Sequence, residues 1–329
     1  MSLKSRLMLP QEYIADATSM IEKAKRRVSF MCLIVSDGAE TTAFIDALVE
    51  AAKRGVKVEV AADVFTYADF GGSFLPKRYQ SKRRRASNAM ARRLEDAGVD
   101  FTWLGKSRKF IYRGRTHIKF CVVDDLVYSF GGVNLYDKGA TNIDYMFKVK
   151  DADLAQRLTK EFKRLKRSTL RAKDHKSRSF KYGKDVVLID GDTKGDSIIY
   201  RRAVKYARKA ERVLLVSQYC PSGKLGRLIR RLPHELYFNA PANSSFPNNL
   251  LIRFSMFVSR NRSLYRKSQY LHAKCIVFYL PGEKRVAITG SHNYVWGGVL
   301  LGTREIALQT KNPRVIDQLE RFTDEHVRS

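Results

Sequence analysis

Two stretches of this chain follow one pattern. "THIKFCVVDDLVYSFGGVN" (116–134) and "LHAKCIVFYLPGEKRVAITGSHN" (271–293) both read H-x-K, apolar strand, turn, apolar strand, G-[GS]-x-N. The two histidines, His117 and His272, lie 155 residues apart in a chain of 329, so the pattern marks an internal duplication. A complex motif repeated at half the chain length restricts the fold to two homologous lobes, a pseudo-dimer within one chain that needs no second copy.

The flanking sequence has the same grammar in each half. "EYIADATSMIEKAKR" has helical spacing, "RVSFMCLIVSDG" is a strand, "TTAFIDALVEAAKRG" is a helix closed by glycine, and "VKVEVAADV" is again a strand. This alternation is βαβ grammar and calls for a parallel sheet. After a basic insertion come another helix ("SNAMARRLEDAG"), a strand ("VDFTWLG"), and a hairpin turned by "DD" between "HIKFCVV" and "LVYSFGG". In the second half "SIIYRRAVKYARKAERVLLVSQY" repeats the first helix and strand, and "LLIRFSMFVS" reads as the counterpart of "VKVEVAADVF". The expected organisation is a first lobe over 1–168, a basic linker over 169–184 and a second lobe over 185–329. A helix docked through Leu154, Leu158, Phe162 and Leu165 leads into that linker.

Residues two apart in a strand share a face, so His117 with Lys119, and His272 with Lys274, project together. A lysine in such apolar company costs several kcal/mol, about the penalty of an unpaired buried charge, unless something compensates it. Doing so twice marks a site built for an anion. Gly131-Gly132 and Gly290-Ser291 allow backbone to come close to a ligand, and Asn134 and Asn293 carry amides that can donate to an oxygen. Ten and twelve residues further stand Asp144 and Glu305. A carboxylate accepting from one imidazole nitrogen fixes the tautomer and leaves the other nitrogen free to react.

Composition narrows the ligand. Lys and Arg number 62 against 33 Asp and Glu, a formal charge of +29, which selects a polyanionic partner, nucleic acid or an anionic membrane surface. Cys32, Cys121, Cys220 and Cys275 sit in apolar runs without metal-ligand spacing, as reduced thiols of a cytoplasmic protein do. No signal-peptide core or membrane-length apolar run occurs in the sequence, so any membrane contact is expected to be peripheral, at the inner face.

The pattern H-x-K-x4-D-x6-G-[GS]-x-N resembles the phospholipase D superfamily, and the first copy matches it at His117, Lys119, Asp124, Gly131, Gly132 and Asn134. Nearly the whole chain is similar to the cardiolipin synthase branch, "YRGRTHIKFCVVDDLVYSFGGVNLYD" above all. The resemblance implies an α/β fold of two pseudo-symmetric α-β-α sandwich lobes with mixed, mostly parallel sheets. It also implies phosphodiester exchange without metal or other cofactor, through a phosphohistidine. His117 would be the nucleophile and His272 the general acid/base. Lys119, Lys274, Asn134 and Asn293 would hold the phosphoryl oxygens, Asp144 and Glu305 would complete the catalytic set, and Asp124, Gly131, Gly132, Gly290 and Ser291 would be structural members of the motif.

The second copy departs from the pattern. Tyr279 stands where the first copy has Asp124, and its hairpin tip is "PGEK", with Glu283 the candidate substitute. His292 lies inside the motif and is read as a neighbour of the site, and His175, His234 and His326 carry no constellation. The cluster "PKRYQSKRRRASNAMARR" (76–93), with Lys82, Arg83, Arg84 and Arg85 as anion-binding candidates, is expected as a basic flap before a helix. Phe65, Tyr67, Phe70, Phe74 and Tyr79 interleave with its charges, which suits a membrane interface or stacking on single-stranded bases. The expected function is hydrolysis or phosphatidyl transfer on anionic glycerophospholipids by a monomer; a nuclease or nucleic-acid phosphodiesterase of the same superfamily is the alternative, and a non-catalytic anion-binding module fits the two H-x-K motifs least.

Overall fold

A computed structural model of the chain describes residues 5–66, 82–105, 114–170, 175–243 and 246–328. Of the interleaved aromatics, Tyr67, Phe70, Phe74 and Tyr79 lie outside the described residues, as does the side chain of Arg83.

The first half runs β1 (Ser5–Met8), α1 (Pro10–Glu22), β2 (Arg27–Cys32), α2 (Thr42–Lys53), β3 (Lys57–Asp63), α3 (Lys82–Asp96), β4 (Asp100–Leu104), β5 (Phe120–Val123), β6 (Leu126–Ser129), α4 (Asp137–Thr141), β7 (Met146–Lys150) and α5 (Ala152–Leu170). The second runs β8 (Arg178–Tyr182), β9 (Asp185–Ile189), α6 (Ile198–Ala207), β10 (Arg212–Val216), α7 (Gly223–Ile229), β11 (His234–Tyr237), α8 (Phe246–Ser259), β12 (Cys275–Leu280), β13 (Lys284–Gly290), α9 (Trp296–Leu301), β14 (Ile306–Thr310) and α10 (Pro313–Phe322). Local chemistry sets these ends. Pro10 opens α1, whose Tyr13, Ile14, Ala17 and Ile21 form one buried stripe. The Ser197 hydroxyl accepts from Tyr200 N at 2.9 Å to cap α6, and Asn312 caps α10 by accepting from Arg314 N at 3.1 Å.

Two seven-stranded sheets result, in the orders β1-β7-β6-β5-β2-β3-β4 and β11-β10-β12-β13-β14-β9-β8. The two-lobed α/β fold with mixed sheets is therefore present, but the sheets are not mostly parallel. Among the described strands β2-β3, β3-β4 and β10-β11 pair in parallel and the other strand pairs are antiparallel. The motif hairpin causes this: it inserts an antiparallel pair beside the parallel strands of each lobe, and the strands beyond it continue antiparallel.

The layers stack helix, sheet, helix, sheet, helix. One face of the first sheet packs on α1, α2 and α3 around Phe30, Phe44, Leu48 and Leu94. The outer face of the second packs on α6 and α7 around Ile199, Leu225 and Phe238. Between the two sheets α5 and α10 share one core, which joins Phe120, Leu158, Phe162, Tyr145, Val277, Leu308, Ile316 and Phe322. Among the described residues no helix is long and apolar enough to cross a membrane.

Two further expectations are corrected. "LLIRFSMFVS" is part of the helix α8, and the strand matching β3 is β11, which pairs in parallel with β10; the run's apolar residues at alternate positions imitate a strand. The stretch expected as a linker contains β8, so the second sheet begins at Arg178, where Phe180 partners Val187.

Candidate active site

The histidine-lysine segments do not lie inside strands as read from the sequence. They are the extended approaches to β5 and β12, and their backbones bond to the opposite lobe. His117 N donates to Arg304 O at 2.8 Å, and Arg304 N to Arg115 O at 2.8 Å. In the mirror arrangement, His272 N donates to Ile143 O at 2.9 Å, and Ile143 N to Tyr270 O at 3.0 Å. Arg304 and Ile143 immediately precede the acids Glu305 and Asp144. Each motif histidine is thereby registered against the acid of the other lobe.

The side chains complete the crossing. His272 Nδ1 lies 2.6 Å from Asp144 Oδ2, and His117 Nδ1 lies 3.0 Å from Glu305 Oε2 and 3.0 Å from Ser291 O. A carbonyl oxygen only accepts, so Nδ1 of His117 carries the hydrogen whatever the state of Glu305. Asp144 also accepts from Tyr145 N at 2.8 Å and Gly132 N at 3.2 Å. Burial would raise its carboxyl, but the hydrogen bond from the His272 imidazole, the Lys274 ammonium and these backbone donors hold it below the usual range. An ionised Asp144 requires Nδ1–H on His272 too. Among the described residues neither histidine Nε2 has a hydrogen-bond partner, so both rings present a lone pair to the site.

Lys119 and Lys274 are buried, 1% and 0% exposed, and each donates its ammonium to the carbonyl of its own histidine, Lys119 at 2.8 Å. Burial brings Lys274 down to about 7 and lowers Lys119. Burial, then the nearby ammonium groups, also push His117 well down and bring His272 to about 3, so both rings are neutral without a ligand. Glu305 differs from Asp144: burial raises it to about 7, although the Ser291 hydroxyl donates to it. Two buried lysines and two neutral imidazoles around buried carboxyl groups make a wall suited to an anion.

The asparagines adjoin this wall. Asn134 is 3% exposed and its Oδ1 accepts from the Cys32 thiol at 3.5 Å; Asn293 is 9% exposed, and its buried Oδ1 has no hydrogen-bond partner among the described residues. The motif glycines let neighbouring strands approach closely. A Cβ on Gly131 would run into Tyr145 O and one on Gly290 into Ile306 O, the strand backbones that carry the two acids; a Cβ on Gly132 would meet the Asp144 carboxylate at 2.7 Å. Ser291, at the position of Gly132, fills this space with a hydroxyl for Glu305.

Asp124 is a structural residue. It sits at φ +52° and its carboxylate accepts from the N–H groups of Lys25, Arg26 and Arg27 at 3.0, 2.9 and 3.0 Å, tying the hairpin to the start of β2. At the same place Tyr279 takes a different route: its ring lies 3.7 Å from the Arg212 guanidinium, and its hydroxyl donates to Glu320 at 2.6 Å. Glu283 does not substitute, being exposed at the hairpin tip.

Lys82, Arg84 and Arg85 belong to the first turn of α3 and not to a loop before it; Lys82 and Arg85 are exposed and Arg84 is half-buried. His292 is buried beside the site, with Nδ1 accepting from Tyr294 N at 2.8 Å and Nε2 3.9 Å from Asp190.

Sequence reasoning missed two residues. Asp63, at the end of β3, accepts from Thr116 N at 2.7 Å and pairs with Arg115 at 2.9 Å. Asn239, just past β11, accepts from Leu271 N at 2.9 Å and donates to Leu271 O at 2.7 Å. Both hold the residue before a motif histidine. The available signal was a polar residue ending each apolar strand, "VAAD" and "LYFN".

Residues 17–166 match the family described as cardiolipin synthase, PLD-like domain. The crystal structure of phosphatidylserine synthase from Haemophilus influenzae superposes with a TM-score of 0.70 at 11% identity, over 98% of this chain and 86% of that one. Polyphosphate kinase from Porphyromonas gingivalis gives 0.62 at 12% identity, over 97% of this chain, which spans about half (49%) of the kinase. Nuc, a phospholipase D family member from Salmonella typhimurium, matches half of this chain (50%) at 18% identity and a TM-score of 0.38. No curated protein matches the sequence.

Proposed function

We propose that this chain, whose residues 17–166 match a cardiolipin synthase PLD-like domain, is a member of the phospholipase D superfamily that exchanges a phosphodiester of an anionic glycerophospholipid, by hydrolysis or phosphatidyl transfer, through a phosphohistidine. The observation that carries the proposal is the crossed pair of imidazole–carboxylate contacts, His117 with Glu305 and His272 with Asp144, each leaving Nε2 free.

In the proposed reaction His117 Nε2 attacks phosphorus while the bond from phosphorus to the leaving alcohol breaks and His272 Nε2 gives that alcohol its proton. Water or a second alcohol then gives its proton to His272 Nε2 while its oxygen bonds to phosphorus and the bond from phosphorus to His117 Nε2 breaks, which returns His117 to the neutral imidazole. Lys119 and Lys274 turn from their histidine carbonyls to the non-bridging oxygens, joined by the amides of Asn134 and Asn293. The substrate's negative charge raises His272 from about 3, so that it can hold the proton it must donate. The similarity of the first lobe to a cardiolipin synthase domain favours lipid; the net charge of +29 also suits nucleic acid, the competing substrate.

The test offers purified protein phosphatidylglycerol vesicles and single-stranded DNA side by side, with EDTA present. Lipid turnover is expected. Turnover of DNA alone would sink the lipid reading, and loss of all activity with EDTA would overturn a metal-free reaction. With substrate, His272→Ala should accumulate an acid-labile phosphoenzyme on His117. An adduct on His272 in His117→Ala would reverse the two roles.

A further inference from the structure

Helix α8 is amphipathic the wrong way round for a helix on a monomer's surface. Its inward face carries Ile252, Ser255 and Ser259, with Ser259 hydrogen-bonded to Ser255 O at 2.7 Å. Its outward face carries Leu250, Phe254, Phe257 and Val258, at i, i+4, i+7 and i+8, with exposures of 64%, 65%, 82% and 48%. A contiguous apolar stripe in water marks a surface with a partner.

The chain that follows says which partner. From Arg260 to Arg266 the exposed residues alternate with buried ones, so Arg260, Arg262, Leu264 and Arg266 project outward while Asn261, Ser263 and Tyr265 turn in. Phe257, Val258, Arg260 and Arg262 line one open cleft of about 630 Å³. Residues 236–282 contain no Asp or Glu. An apolar stripe bordered by arginines complements a bilayer, which offers hydrocarbon beneath an anionic phosphate layer. A second copy would bring the same acid-free, arginine-bearing face against this one. Single-stranded nucleic acid would use the two phenylalanines but gain no stacking from Leu250 and Val258.

We propose that α8 and the 260–266 segment form a docking surface for anionic phospholipid membranes, with Leu250, Phe254, Phe257 and Val258 entering the headgroup–acyl boundary and the arginines contacting lipid phosphate. The segment runs on to Leu271 and His272, and Asn239, which holds Leu271, precedes α8, so the docked face adjoins the backbone that positions the site. Delivery of lipid to that site rests on the phospholipid reading; the docking does not.

The test uses the full chain, vesicles of phosphatidylcholine with and without phosphatidylglycerol, and the double variant Phe254→Ser/Phe257→Ser. Wild type should cosediment with the anionic vesicles, and the double variant should lose about tenfold or more in partition. Turnover of a soluble phosphodiester and the melting temperature should stay as in wild type, because both side chains face solvent. Phe257→Trp should show indole emission that shifts to the blue and is quenched by brominated lipid. Docking is overturned if wild type stays in solution, if the double variant binds vesicles as well as wild type does, or if the double substitution instead dissolves a dimer or weakens only DNA binding. Vesicle binding that depends on α8 in a protein that turns over DNA alone would uphold the docking surface and refute the lipid substrate.

Discussion

At the residue scale the site is a set of charges held against their solvation preference. Burial brings Lys274 to about 7 from 10.5. Between those values the unfolded chain binds a proton that the folded chain releases, so this group makes stability rise with pH across the window and is a full burden below it. Glu305 works in the opposite sense: raised to about 7 from 4.5, it makes stability fall as pH rises through that window. Lys274→Met should therefore abolish turnover yet raise the melting temperature by about 2–4 °C near pH 6, and by less near pH 9.5. A lower melting temperature near pH 6 would show that the ammonium is net stabilising. Binding of inorganic phosphate, followed by calorimetry, should weaken as pH rises above about 7 in wild type, and that slope should vanish in Lys274→Met. Asp144→Asn should cost kcat about 10³–10⁴ with little change in KM, because an amide at 2.6 Å from Nδ1 no longer dictates the tautomer.

At the element scale, the hairpins and the strands beside them set the geometry. Gly131 lies so close to Tyr145 O that a side chain there must displace the strand carrying Asp144. Gly131→Ala should destabilise by about 3 kcal/mol in denaturant unfolding and also lower activity. Gly282 sits at φ +70° on the open tip of the second hairpin, where a Cβ would meet nothing within 4 Å; Gly282→Ala should cost about 1 kcal/mol, from backbone strain alone. Equal effects would refute close strand approach as the reason for the motif glycine. The elements were unequally legible in the sequence. α1, β2, α2 and β3 could be read because apolar period and cap chemistry agree. α8 could not, because its outward phenylalanines break the rule that apolar residues face the core.

At the scale of the molecule, one core joins the halves. Residues of both sheets, α5 and α10 pack together between the lobes, Gln318 of α10 donates to Ser5 O at 3.2 Å and accepts from Leu7 N at 2.8 Å, and buried Arg304 bonds Asp192, Thr169 and Ser168. A single cooperative unfolding transition is expected, the same by far-ultraviolet dichroism and tryptophan fluorescence. Residues 1–170 expressed alone should not form a stable monomer, since the inner face of the first sheet would lose its cover; a folded, monomeric half would contradict this.

Motif spacing alone determined that the chain is duplicated, that each half carries a histidine, a lysine, an asparagine and an acid, and that the hairpin of the second half differs at Tyr279, because these are relations along one segment. Which acid meets which histidine was decided only by the tertiary structure. The answer depends on backbone bonds between His117 and Arg304 and between His272 and Ile143, residues 187 and 129 apart in sequence, and no local pattern encodes which of two similar partners a strand will find once both lobes close on a common core.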